Sequence, residues 1–273
     1  MNICNIGPGH QMPLLGMGTW KLKGKECEQV VRMGLELGYR HIDTADSYEN
    51  HQDIARAIRS YSRKSLWLTS KIYLQDLEAS RVGPATERFL KELATDYLDL
   101  LLIHWPKPDM DLIGIIHAML ELREKGLVKR IGVSNFSPFH YEALRSAGLI
   151  GEIYNHQLEL HPYLQRRKLY SMSKKAGIAL SAYRPLAKGA FEEDPLLQEV
   201  GFRYGKSPSQ VVLNWLVAKS IAVIPKASSL EHLQDNLESF TFEMSLKDHQ
   251  LIDSLECGKR FCQPIGDMTF EGE

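Results

Sequence analysis

Leu98-Asp99-Leu100-Leu101-Leu102-Ile103-His104-Trp105-Pro106 is the stretch from which the fold can be read. Residues 98–103, apolar but for Asp99, form a run of strand length, which ends abruptly on a histidine, a tryptophan and a proline. Longer amphipathic segments flank it, at 78–93 before and 111–125 after. The same alternation fills the chain. Strands are predicted over 14–19, 40–43, 66–71, 98–103, 128–133, 152–156, 178–183 and 221–225. Helices are predicted over 25–37, 51–61, 78–93, 111–125, 138–146, 165–176, 208–219 and 229–239. Repeated β then α implies parallel strands joined by crossover helices. Eight such units predict closure into an α/β (β/α)8 TIM barrel, although counting alone also allows a doubly wound sheet.

Several helix starts have a physical cause. Ser207-Pro208-Ser209-Gln210 places a hydroxyl at the cap, proline at the first helical position and glutamine three residues on. Ser137-Pro138 begins the same way, and Ser228-x-x-Glu231 reads as another capping box. In the first helix Val30, Val31, Gly34 and Leu37 share a face, and Gly38 suits its end. Residues 1–12, centred on Gly7-Pro8-Gly9, predict a small N-terminal β-hairpin plugging one end of the barrel. After the eighth helix comes a helix at 246–255, then a short C-terminal tail containing Phe261, Pro264 and Phe270.

Composition removes several function classes. The 273 residues suit one domain, 1–273, and 44% hydrophobic with 25% charged residues is ordinary for a globular chain. Lys and Arg number 33 against 34 Asp and Glu, scattered, so no nucleic-acid footprint is expected. No apolar run approaches the ~20 residues of a membrane span, and no secretory signal is visible at the start. Cys4, Cys27, Cys257 and Cys262 lack metal-ligand spacing, so reduced thiols, a cytoplasmic location and no metal site are expected.

Barrels of this kind gather their chemistry at the C-terminal ends of the strands. Asp43 and Tyr48 follow the second predicted strand, Lys71 ends the third and His104 ends the fourth. Each alone has an ordinary explanation: a turn or cap for Asp43, a surface aromatic for Tyr48, an edge charge for Lys71, a core histidine for His104. Together at one rim they form an acid–base set. An ammonium beside a phenol favours the phenolate, a carboxylate holds the ammonium, and an imidazole orients a carbonyl oxygen.

Gly38-Tyr39-Arg40-His41-Ile42-Asp43-Thr44-Ala45 followed by Tyr48 and Asn50 resembles the signature of the aldo-keto reductase family. So do Gly16-Met17-Gly18-Thr19-Trp20, Leu102-Ile103-His104-Trp105-Pro106, Ile131-Gly132-Val133-Ser134-Asn135-Phe136 and Ile224-Pro225-Lys226. The blocks run in order over nearly the whole chain, as in short bacterial members such as the 2,5-diketo-gluconate reductases. The resemblance implies a catalytic tetrad of Asp43, Tyr48, Lys71 and His104, with Tyr48 donating the proton and Lys71 lowering its pKa. It implies NADPH as cofactor. Ser134, Asn135 and Gln157 would hold the nicotinamide carboxamide, and Tyr183 would stack on the ring. Gly18, Thr19, Leu186 and Ala187 would lie along the pyrophosphate or its ribose. Lys226, Ser228, His232 and Asn236 would take the adenosine-phosphate end. The substrate would be a small carbonyl compound facing Trp20, Tyr48, His104, Trp105 and either Tyr73 or Phe136. A monomer is the usual family state.

Four departures qualify the resemblance. His232 stands where an arginine is frequent, and Ala227 where serine is, which predicts a weakened NADPH preference with appreciable NADH use. His51 replaces a glutamate. Arg184 replaces a small residue and either reaches a cofactor phosphate or faces solvent. The short tail implies an open pocket. Two other readings keep the barrel: a cofactor-binding regulatory protein without turnover, and a Schiff-base enzyme using Lys71, which a neighbouring Asp43 opposes.

Overall fold

The computed structural model describes residues 12–263 and the short strand Ile3–Cys4. Eight parallel strands form the frame: β3 (Gly16–Gly18), β4 (His41–Asp43), β5 (Trp67–Ile72), β6 (Leu100–Ile103), β7 (Ile131–Ser134), β8 (Ile153–Glu159), β9 (Ala179–Tyr183) and β10 (Ile221–Ile224). Each pairs with its sequence neighbour. The last meets the first through bridges Leu15↔Val223 and Gly18↔Lys226, so the sheet closes. That closure selects the (β/α)8 barrel over the open sheet.

Alternation along the strands explains where the core sits. In β6, Leu100 and Leu102 point into the barrel, whereas Leu101 and Ile103 join the layer beneath the helices. In β5, Trp67 points inward, so residues two and four further on, Thr69 and Lys71, share that face. A methyl group added at Gly132 in β7 would lie 2.4 Å from the carbonyl oxygen of Asn155 and 2.7 Å from Leu102, so only glycine lets β7 approach β8 and the core there.

The predicted plug is present. Strand β1 (Ile3–Cys4) pairs antiparallel with β2 (Met12–Pro13), and the buried Met12 packs with Trp67, Leu100, Leu102, Tyr154, Ala179 and Ala222 in the barrel interior. The turn at Gly7-Pro8-Gly9 lies outside the described residues, as do Pro264 and Phe270 of the tail.

Helices α1 (Gly24–Glu36), α2 (His51–Ile58), α3 (Ala79–Leu93), α4 (Leu112–Glu124), α5 (Pro138–Ser146) and α6 (Arg167–Ala176) follow successive strands as expected. Then comes α7 (Pro195–Tyr204), which the β/α count did not include, before α8 (Pro208–Ala218), α9 (Leu230–Glu238) and α10 (Leu246–Asp253). The Asp194 carboxylate caps α7 by accepting from Leu196 and Leu197 N–H at 3.0 Å, Pro195 starts it, and Gly205 at φ 62° ends it. The Ser207 capping box with Gln210 is formed. The box expected at Ser228 is not. Helix α9 begins one residue later, so Ser229 is the cap and accepts from the His232 N–H at 3.2 Å.

Candidate active site

Strand register brings the polar set together. Asp43 is the last residue of β4 and pairs with Thr69 of β5, two residues before Lys71. Both side chains point into the barrel at its C-terminal end and are buried. Lys71 Nζ donates to Asp43 Oδ1 at 2.6 Å and to the Thr44 carbonyl at 2.7 Å. From β8, Gln157 Nε2 donates to the other Asp43 oxygen at 2.8 Å. The carboxylate is thus held from both sides, which a buried charge requires.

Tyr48 arrives on a short helical turn, Asp46–Tyr48, which Glu49 ends in the left-handed region at φ 53°. Asn50 fixes this loop. Its carbonyl oxygen accepts from Thr44 Oγ1 at 2.6 Å, and its amide donates at 3.0 Å to the carbonyls of Thr19 and Leu22. Asn50 thus ties the loops after β3 and β4 together. The Tyr48 ring stands edge-on to His104, centres 5.7 Å apart, and Lys71 Nζ lies 5.2 Å from its centre.

Protonation follows from burial. The Tyr48 phenol is pushed well above its ordinary value, first by burial and then by the Asp43 carboxylate. The lowering expected from Lys71 does not appear: burial and the Asp43 carboxylate set the direction, and the ammonium donates to Asp43 and the Thr44 carbonyl. Burial also lowers Lys71, with Asp43 opposing, and holds His104 well below its usual range, helped by the nearby Lys71 charge. The site therefore presents a protonated phenol beside a neutral imidazole. Lys71 itself is fully buried behind them, and a Schiff-base role would need an amine that a substrate can reach.

Above this set lies a cavity of about 270 Å³. Asp43, Tyr48, His104, Trp20 and Trp105 line it, with Ser134, Asn135, Gln157 and Tyr183 along one side and Gly18, Thr19, Arg184 and Lys226 at its edge. Asn135, at φ 61°, and Arg184, at φ 49°, both end strands in the left-handed region, an uncommon conformation that recurs where side chains are aimed at a site. Asn135 Oδ1 accepts from the Tyr183 hydroxyl at 2.7 Å, and its amide donates to the His104 carbonyl and Ser134 Oγ at 3.0 Å. Tyr73 lines the cavity, as does Ser47. Phe136 does not: it is fully buried against His140 and His156.

A second groove of about 540 Å³ shares Trp20, Arg184 and Lys226 with the first. It holds Leu186, His232 and Asn236 of the expected adenosine end. Two expected residues fall elsewhere: Ala187 is buried, and Ser228 is exposed and lines neither hollow. Sequence reasoning missed Glu192 and Asp235, which bring two carboxylates to this groove. It also missed Cys262 and Gln263, which reach the first cavity from the tail. The tail thus narrows a pocket expected to be open. Arg184 is half-buried between the two cavities. It stacks on Trp20 at 4.9 Å and donates to the Phe261 carbonyl. His51 lies outside the barrel wall, bridging Glu92 at 2.8 Å and Ser70 at 2.9 Å.

The family model described as Aldo/keto reductase family matches residues 14–256. The chain belongs to the aldo/keto reductase family. It is 36% identical over 271 residues to an aldo-keto reductase of Mycolicibacterium smegmatis, covering 98% of each. It is 35% identical to the methylglyoxal reductase DkgB of Escherichia coli O157:H7, covering 93% of this chain and 97% of that one. Among solved structures, the aldo-keto reductase MGS-M4 from a Medee basin deep-sea metagenome library superposes with a TM-score of 0.92 at 32% identity, covering 98% and 99%. As an aldo/keto reductase the chain is an oxidoreductase of carbonyl compounds.

Proposed function

We propose that this aldo/keto reductase reduces small aldehydes and ketones with NADPH, accepting NADH as well, and that Tyr48 delivers the proton. One observation carries the proposal: a half-buried phenol, held in its protonated form, sits beside a neutral imidazole, backed by an ion pair, on the wall of a cavity lined by amide and hydroxyl groups.

The residues fit a nicotinamide nucleotide. Ser134, Asn135 and Gln157 offer the hydrogen-bonding groups a carboxamide needs, and Tyr183 offers an aromatic face. The second groove offers Lys226, near the start of α9, for the adenosine phosphate. When bound, the nicotinamide supplies the hydride. The protein's own groups do the rest. His104 orients the carbonyl oxygen, and Tyr48 protonates it as negative charge develops there. Lys71, 5.2 Å from the ring, favours the phenolate left behind, and Asp43 and Gln157 keep that ammonium in place. A high starting pKa keeps the donor protonated until an alkoxide, a stronger base than phenolate, forms beside it.

His232 is a weaker phosphate ligand than arginine, and Glu192 and Asp235 add negative charge to the same groove. Both support NADH use alongside NADPH. The relatives named methylglyoxal reductase make a small dicarbonyl such as methylglyoxal the first substrate to try. No described helix is long and apolar enough to cross a membrane, and Cys27, Cys257 and Cys262 are free thiols, which supports a cytoplasmic enzyme. We take the working unit to be a monomer. The test is loss of nicotinamide absorbance with a panel of aldehydes, α-dicarbonyls and keto-sugars. Turnover of at least one class is expected, and tight cofactor binding without any turnover would contradict the proposal.

A further inference from the structure

Among the buried carboxylates that have no part in the proposed proton transfer, one is fully buried and stands beside the cavity. Glu159 ends β8, is fully buried and pairs in register with Tyr183 of β9, beside the cavity. Burying a carboxylate is costly unless donors satisfy it. Its donors come from far along the chain. Glu159 Oε1 accepts from the Phe261 N–H at 2.7 Å and the Cys262 N–H at 3.0 Å, and Oε2 accepts from the same Cys262 N–H at 3.1 Å. His161 Nε2 stands 3.5 Å from Oε1, and its ring packs edge-on to Phe261. Burial raises this carboxyl, but His161 and the two tail N–H groups outweigh it and leave it lowered.

The tail is held from the other side too. Arg184, at the end of β9, donates to the Phe261 carbonyl while its guanidinium stacks on Trp20. Both polar groups of the Phe261 peptide unit are therefore spent on the barrel rim. The next two residues, Cys262 and Gln263, form part of the cavity wall. From Trp20 through Arg184 and the tail to Glu159, one connected set of contacts crosses the mouth.

We propose that Glu159 is a specificity-determining positioning residue: by pinning the Phe261–Cys262 peptide to the rim, it sets the size of carbonyl compound the cavity admits. This rests on the reductase reading above. Glu159 touches neither Tyr48 nor His104 among the described contacts, so it acts on substrate fit and not on the proton.

The test compares full-length Glu159→Ala and Glu159→Gln with the wild type on methylglyoxal and on a bulky aryl ketone. In Glu159→Ala, KM for methylglyoxal rises about tenfold, kcat stays within about twofold, and selectivity shifts about tenfold toward the bulky ketone, the scale expected for lost hydrogen bonds to a charged group. Glu159→Gln keeps an acceptor oxygen and shows a smaller shift. NADPH Kd, read by fluorescence titration, stays within about twofold. Hydrogen exchange of the 261 and 262 amides accelerates in both variants. A uniform fall in kcat for both substrates, or unchanged selectivity with faster exchange, would overturn the proposal. Should Glu159→Ala not fold, Glu159→Gln carries the same comparison. A wild type inactive on every carbonyl would instead overturn the reductase reading itself.

Discussion

Replacing Lys71 by methionine separates the structural from the chemical part of the site. The Lys71 and Asp43 side chains are only 1% and 4% exposed and meet at 2.6 Å. Removing the ammonium leaves a buried carboxylate with one remaining side-chain donor, Gln157 Nε2 at 2.8 Å. Breaking a buried pair this way costs about 3–5 kcal/mol. In a chain of this size about 1 kcal/mol moves Tm by roughly 2–4 °C, so Lys71→Met should melt about 6–20 °C lower. Asp43→Asn alone strands the ammonium and should also destabilise. The double variant removes both charges, so it should melt well above the sum of the two losses, with a coupling of at least about 2 kcal/mol. Its kcat should nonetheless remain down by about 10² or more, since no cation is left near the phenolate. Thermal unfolding followed by circular dichroism at neutral pH, with steady-state rates on the same samples, measures both. A Lys71→Met variant melting within about 2 °C of wild type, or additive losses in the double variant, would refute the reasoning.

Four further outcomes are expected. The ratio of kcat/KM for NADPH over NADH should lie below about 10³, and His232→Arg should raise it about tenfold; a wild-type ratio above that bound would reject the role given to His232. Because burial holds Tyr48 above and His104 below their ordinary values, the rate of reduction should stay flat from about pH 6 to about pH 9; a fall inside that window would mean one of them titrates there. His41 is lowered by burial to about 4, so it is neutral in the folded chain and takes up a proton more readily when unfolded. Its contribution, about 3 kcal/mol, is present above about pH 6.5 and is lost as pH falls toward 4, which urea midpoints measured across that range should follow. Asp194→Ala removes the acceptor for two N–H groups at the start of α7 and for the Tyr163 hydroxyl, and should cost about 1–2 kcal/mol in the same assay, with unchanged activity.

Much of this architecture was legible because short apolar runs and amphipathic segments alternate without a break from residue 14 to residue 239. That Asp43, Tyr48, Lys71 and His104 would meet at one rim was legible for a related reason. Each member stands at or just past a strand's end, and a closed barrel forces those ends to one rim. What escaped notice depends on contacts remote in sequence. The signals for α7, Asp194-Pro195 and Gly205, were present but fell between two units of a repeat that seemed complete without them. The cap of α9 shifted from Ser228 to Ser229 because two adjacent serines satisfy the same local rule, and only the position of the helix start selects one. The direction of the Tyr48 shift was not legible, since spacing shows that a lysine is near but not that burial and the Asp43 carboxylate raise the phenol. Arg184 found its partners in Trp20 and Phe261, neither of which any local pattern connects to it. The same holds for Glu159 and the tail, more than a hundred residues apart, whose bond explains why a short C-terminal segment reaches the pocket.

Carbonyl reduction by this route depends most directly on the phenol of Tyr48, and Tyr48→Phe probes it with the loss of a single oxygen. With methylglyoxal and saturating NADPH, kcat should fall by about 10²–10⁴ while the NADPH Kd stays within about twofold. A variant that turns over at the wild-type rate would contradict the assignment of Tyr48 as proton donor.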